Sequence, residues 1–190
     1  MAITIRPALE GESPVVARFI MEAMNEECCR WFAGPRHTLD DFRVMMTRLV
    51  SRPDSQYSYL NTLVADDAGA VVGACVSYDG GRLRELRRAF VQEAQATFGI
   101  DYSNIDDETQ AGELYCDSLY VQAAYRRRGI ASQLLEAVKR RACTMGLCRV
   151  GLLVDMGNPE AERLYGRLGF RVVNVAEWGG HAMRHMVCDV

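Results

Sequence analysis

Residues 115–135 read YCDSLYVQAAYRRRGIASQLL. Tyr115 to Gln122 is strand-like, Arg126 to Gly129 is a short basic turn, and a helical pattern starts at Ile130. A turn placed ahead of a helix N-terminus exposes backbone N–H groups that have no partner inside the helix. The helix dipole adds partial positive charge there, and Arg126, Arg127 and Arg128 add full charges. Such a place suits a phosphate or pyrophosphate group. Gly129 lets the backbone approach a ligand with no Cβ in the way.

Working outward, the 190 residues are enough for one sizeable core, so a single domain over 1–190 is the default. The chain is 49% hydrophobic and 25% charged, as ordinary globular proteins are. A net charge of −3 argues against a general nucleic-acid binder. The arginines at 82–88 and the Lys139–Arg141 group read as solvated helix faces. No apolar run approaches the roughly 20 residues that span a bilayer, and the N-terminus lacks a signal-peptide pattern. No membrane association is expected, and the expected location is cytoplasmic. Seven cysteines without C-x-x-C spacing read as reduced thiols rather than a metal site.

Along the chain, residues 3–7 form a first strand. Ser13 is the expected N-cap of a helix with Pro14 at its first position and Val16, Phe19 and Ile20 on one face. Thr38 or Asp40 caps a second helix carrying Phe42, Met45, Met46, Leu49 and Val50. Runs 60–65 and 71–77 make a hairpin around Asp66-Asp67-Ala68-Gly69, and the second run is apolar enough to be central. A helix follows over 82–98, then a polar loop over 103–110. The strand at 113–122 alternates Glu113, Tyr115 and Asp117 on one side with Leu114, Cys116 and Ser118 on the other, unless a bulge intervenes. Ala131, Leu134, Leu135, Val138, Ala142 and Met145 form the stripe of the next helix, closed by Gly146. A strand at 149–154, a short helix at 161–168 and strands at 170–176 and 182–187 complete the chain. The predicted fold is an α/β domain. Its mixed, mostly antiparallel central sheet is flanked by helices, and one β–α–β unit runs through the basic turn.

Three features together resemble the GNAT superfamily of N-acetyltransferases. Arg126, Gly129 and Ala131 match the family's [RQ]-x-x-G-x-[GA] turn. Leu119-Tyr120-Val121 is similar to the L-x-V of the strand before it. Asn158, Ala161, Tyr165, Gly169 and Phe170 match N-x-x-A-x-x-x-Y-x-x-x-G-F. The clear resemblance covers 112–173. The departure is the helix and loop over 82–110, inserted between the third and fourth strands. It either shapes substrate access or packs at the periphery.

The resemblance implies acetyl transfer from acetyl-CoA to an amine, without a metal. It implies that Leu119, Tyr120 and Val121 line the pantetheine arm. Arg126, Arg127, Arg128, Gly129, Ile130, Ala131 and Ser132 would hold the pyrophosphate, and Asn158 would face the coenzyme or cap the last helix. Tyr165 is the implied general acid to the leaving thiolate. An amine with a pKa near 10 must lose a proton before attack, at about neutral pH. Asp117 or Glu113 is the candidate base or amine-binding group. His37, His181 and His185 carry no expected role. The expected partner is a small-molecule primary amine, and oligomeric state is open, a homodimer included. The alternatives are a protein N-terminal or lysine acetyltransferase, or a CoA-binding sensor of the same fold.

Overall fold

Strand β4 (Leu114–Val121) and helix α5 (Ile130–Thr144) sit where the quoted stretch requires them, joined by the arginine turn. The structure, a computed structural model, describes residues 3–178 and 181–190. The other elements are β1 (Thr4–Pro7), α1 (Ser13–Met24), α2 (Glu26–Ala33), α3 (Leu39–Ser51), β2 (Thr62–Asp67), β3 (Ala70–Asp79), α4 (Leu83–Phe98), β5 (Arg149–Asp155), α6 (Pro159–Arg167), β6 (Arg171–Trp178) and β7 (His181–Asp189). One seven-stranded sheet has the order β1-β2-β3-β4-β5-β7-β6. Among the described residues only the β4–β5 pair is parallel, and α5 makes that crossover.

Both faces of the sheet are covered. On one, α1 to α4 bury Phe19, Ile20, Phe42, Met45, Met46 and Leu49 against Val64, Ala74 and Val76. On the other, α5 buries Ile130, Leu134, Leu135 and Val138 against Cys75, Leu114, Cys116, Val150 and Leu152. Covering both faces explains why β3 reads as a continuous apolar run.

Local chemistry sets most boundaries. Thr38 accepts the Asp41 N–H, and Asp41 accepts the Thr38 N–H, a reciprocal capping box that starts α3. The β2–β3 hairpin turns on Ala68 (φ 53°) and Gly69 (φ 93°), with the Asp66 carboxylate accepting the Gly69 N–H at 2.6 Å. Two positive φ values are what a two-residue turn needs to match the strand twist.

The first helical region differs from expectation in two ways. Ser13 does not cap α1; it is buried, and its hydroxyl donates to Glu10 O at 2.6 Å. Residues 25–33 carry a separate helix, α2. Asn25 turns the chain with φ 72° and accepts the Cys28 N–H at 2.9 Å. Leu60 is not in the strand but in a 3-10 turn, where it is exposed. The arginines at 82–88 are not all on a solvated face either, for Arg87 is buried.

Candidate functional site

Two backbone irregularities in β4 make the site. The first is a bulge. Ser77 pairs with Cys116 and Val76 with Ser118, so Asp117 has no partner on β3. The extra residue resets the alternation. Leu114 and Cys116 face α5, and after the bulge so do Leu119 and Val121, while Tyr115 and Tyr120 face the opposite side. The second is a parting of strands. β4 pairs with β5 only at Leu114↔Val150 and Tyr115↔Gly151. Beyond Tyr115 it has β3 alone, so backbone groups along 116–121 face an opening beside β5. Tyr120 turns its ring away onto Phe19, at 5.1 Å, so it can offer this opening only its backbone.

The arginine turn lies at the far end of β4. Arg127 has φ 60° and Gly129 φ 78°. A Cβ on Gly129 would meet nothing within 4 Å, so the glycine serves backbone conformation and leaves open space in front of α5. No side chain caps this helix; its first hydrogen bond runs from Gln133 N to Gly129 O. The N–H groups of Gly129, Ile130, Ala131 and Ser132 therefore point outward without helical partners. Arg126, Arg127 and Arg128 are exposed around them. Arg126 is anchored by its Nε–H to Val121 O at 3.0 Å, and Arg128 lies over the Tyr125 ring. These donors and charges suit a pyrophosphate.

Tyr165, on α6, reaches the opening from the α5 side. Its ring packs near Phe170, at 5.9 Å. Burial, and then the Cys116 and Cys75 thiols, hold its hydroxyl protonated well above the usual tyrosine range. No hydrogen bond from a described residue engages that hydroxyl. The Cys75 and Cys116 sulfurs are 3.1 Å apart beside it. Asn158 caps α6 by accepting the Ala161 N–H at 3.1 Å.

Asp117, next along the chain from Cys116, lies on the opposite side. Its Oδ1 accepts from the Ser118 hydroxyl at 2.7 Å, and its Oδ2 is 3.2 Å from the Tyr78 hydroxyl. Burial pushes its carboxyl above the ordinary range. Glu113 is on the same side, but both its oxygens are engaged: one by Thr109, at 2.7 Å, the other by His185, at 2.9 Å. Gly151 makes room for this pair, because a Cβ there would collide with the Glu113 carboxyl. His185, given no role on sequence grounds, is thus a buried partner of Glu113.

Glu108 is the group that sequence reasoning missed. It belongs to the polar loop after α4, yet it is buried. It accepts from Tyr78 at 3.0 Å and Gln56 at 3.3 Å, and it is ion-paired with Arg87. Burial raises its carboxyl despite that arginine. One signal was present: Arg87 falls in step with Leu83, Phe90 and Ala94 on the apolar stripe of α4. A buried arginine calls for a buried carboxylate. A separate cleft of about 630 Å³ between α4 and residues 103–107, lined by Arg84, Arg88 and Asn104, involves none of the β4–β5 residues. Among the described residues, no group of three or more His, Cys, Asp or Glu is arranged to hold a metal ion. No described helix is long and apolar enough to cross a membrane.

Comparison with known proteins agrees with this geometry. The family model described as "Acetyltransferase (GNAT) family" matches residues 20–170. A crystal structure of an acetyltransferase superposes with a TM-score of 0.79 at 27% identity, covering 98% of this chain and 99% of that one. An N-acetyltransferase from Staphylococcus aureus Mu50 superposes with a TM-score of 0.81 at 21% identity, covering 97% and 99%. The NatC complex bound to Gag peptide and CoA shares the fold at 15% identity, with a TM-score of 0.59 over 100% and 99% of the chains. The family match runs from α1 through Phe170 and so takes in every element around the β4–β5 opening. The chain therefore belongs to the GNAT family of acetyltransferases, and it is an acyltransferase.

Proposed function

We propose that this enzyme transfers the acetyl group of acetyl-CoA to the primary amine of a small molecule. The observation that carries the reading is the placing of Tyr165 and Asp117 on opposite sides of β4 where it leaves β5. The coenzyme would supply the acetyl group as a thioester. Its pyrophosphate would be held by the N–H groups of Gly129 to Ser132 with Arg126, Arg127 and Arg128 around them. Backbone groups of Leu119, Tyr120 and Val121 that β5 leaves unpaired would hold the pantetheine arm. Asn158, already spent on its cap, would add its position at the mouth of α6.

Tyr165 is the proton donor to the departing thiolate. A hydroxyl that stays protonated and has no partner among the described residues is free to make that bond only when the thiolate forms. Asp117 takes the proton from the amine. Its raised carboxyl lies nearer to neutrality than an ordinary aspartate, which suits a general base. Asp117 is preferred over Glu113 because Glu113 is fully buried between Thr109 and His185, whereas Asp117 is only half-buried. The enclosure of Asp117 by Tyr78, Gln56 and Ser118 suits a slender acceptor.

Thiol release from acetyl-CoA, measured against a panel of small amines, lysine peptides and peptides with free N-termini, tests the reading. Release with small amines and little with peptides is expected. Preference for peptides would transfer the assignment to a protein acetyltransferase. Coenzyme binding with no release for any amine would point to a sensor.

A further inference from the structure

Below the β4 bulge lies a polar cluster built from three separate parts of the chain. Tyr78 of β3 places its hydroxyl 3.0 Å from Glu108 Oε1 and 3.2 Å from Asp117 Oδ2. That hydroxyl has one hydrogen. With both carboxylates ionised, Tyr78 can donate to only one, and its other contact sets lone pair against lone pair. Gln56 shows the same shortage: its Nε2 donates to Glu108, while its Oε1 is buried with no donor. The cluster is short of protons, and one added proton would satisfy both contacts of the Tyr78 hydroxyl.

We propose that Asp117 and Glu108 form one proton-sharing pair bridged by Tyr78, in which Glu108 is the positioning residue that makes Asp117 receptive to the proton of the acceptor amine. This rests on Asp117 as the base in the reading above. One proton leaves the amine nitrogen and bonds to the Asp117 carboxylate. The new Asp117 O–H then donates to the Tyr78 oxygen, and the Tyr78 O–H donates to Glu108. Both contacts become hydrogen bonds, and the charge left on Glu108 faces Arg87. A concerted shift of the two protons leaves Glu108 neutral and Asp117 ionised again, with no other change of charge. The arrangement thus fits the proton-loaded state better than the resting one, the condition for lowering the barrier to proton transfer.

The surroundings support a shared proton. Burial raises both carboxyls, and the Asp117 carboxylate raises Glu108 further. Arg87 of α4 is the opposing cation, and it divides its charge with Asp107. Tyr57, Tyr78 and Tyr115 face the pair as buried phenols, with Gln56 beside Tyr57 and Cys28 reaching in from α2. Groups coupled this closely titrate as a pair.

Two measurements test the proposal. The first is the pH profile of kcat/KM for the amine. Its acidic limb should move down by about one pH unit in Glu108→Gln, because Asp117 loses a like-charged neighbour, with KM for acetyl-CoA unchanged. The second needs no turnover: an infrared pH titration of the neutral-carboxyl band in the wild type, Asp117→Asn and Glu108→Gln. The wild type should show an upper step that either substitution lowers. Should Glu108→Gln fail to fold, Tyr78→Phe carries the infrared test, and its two carboxyls should titrate apart from the wild-type pattern. An upper step unchanged by the substitutions overturns the shared proton, whatever the activity. A lowered step with an unmoved kinetic limb overturns the link to transfer. Failure of every amine to react strikes the acetyltransfer reading alone, and the infrared result still decides the pair.

Discussion

Tyr165 and Asp117 lie on opposite sides of β4 because successive strand residues face opposite ways. Cys116 points toward α5 and lies near the Tyr165 hydroxyl, while Asp117 points toward Tyr78. Tyr165→Phe keeps the ring packing against Phe170 and removes only the hydroxyl. It should lower kcat by about 10²–10⁴-fold and leave acetyl-CoA affinity nearly unchanged. Steady-state kinetics beside coenzyme titration would check this, and an unchanged kcat removes Tyr165 from the mechanism. In the sequence, short motifs single out Tyr165 and Gly129, and its place two residues before Leu119 singles out Asp117. Glu108 was not legible there. Nothing local distinguishes it from Asp106 or Asp107, and its burial follows from Arg87, 21 residues earlier.

Among the elements, α4 is the one whose role was least legible. Its apolar stripe showed that it would pack, and Leu83, Leu86, Phe90 and Ala94 are indeed buried. The same stripe holds Arg87, which ties the following loop under the sheet through Ile105 O, Asp107 and Glu108. The inserted segment therefore packs on the core and also delivers a carboxylate beside Asp117. Arg87→Leu should destabilise the fold by roughly 3–5 kcal/mol, since it leaves a buried carboxylate uncompensated; urea unfolding measures it. A loss well under 1 kcal/mol would mean that Asp107 and Glu108 do not depend on this ion pair. Helix α2 escaped the sequence reading for a different reason. Asn25 ends α1 and starts α2 with neither glycine nor proline at the junction, whereas Gly34-Pro35 marked only the far end. The α3 start was legible from Thr38, and Thr38→Ala should cost about 1 kcal/mol of stability.

At the scale of the whole molecule, the buried pair sets a pH dependence. Asp117 and Glu108 have raised carboxyls in the native state, so the native chain holds protons that the unfolded chain has lost. Stability therefore falls as pH rises from the unfolded carboxylate range through the native one. Asp117→Asn removes one of these ionisations. It should raise Tm at about pH 8 and change it little at about pH 3, where the unfolded carboxylates are themselves largely protonated. An equal change at both values would show that Asp117 is not held in a raised state. Apart from α2, the order of elements and the parallel β4–β5 crossover were legible from hydrophobic period and turn residues. The bulge was not, since it depends on β3 register rather than on β4 alone. The central claim is that residues 126–132 form the coenzyme's pyrophosphate site. Calorimetric titration of CoA into the wild type and Gly129→Val tests it most directly. A valine there is strained at φ 78° and places its side chain in front of the α5 N-terminus. The wild type should bind, and the variant should bind at least about tenfold more weakly, a loss of about 1.4 kcal/mol, while keeping its fold by circular dichroism; equal affinity in a folded variant would contradict the assignment.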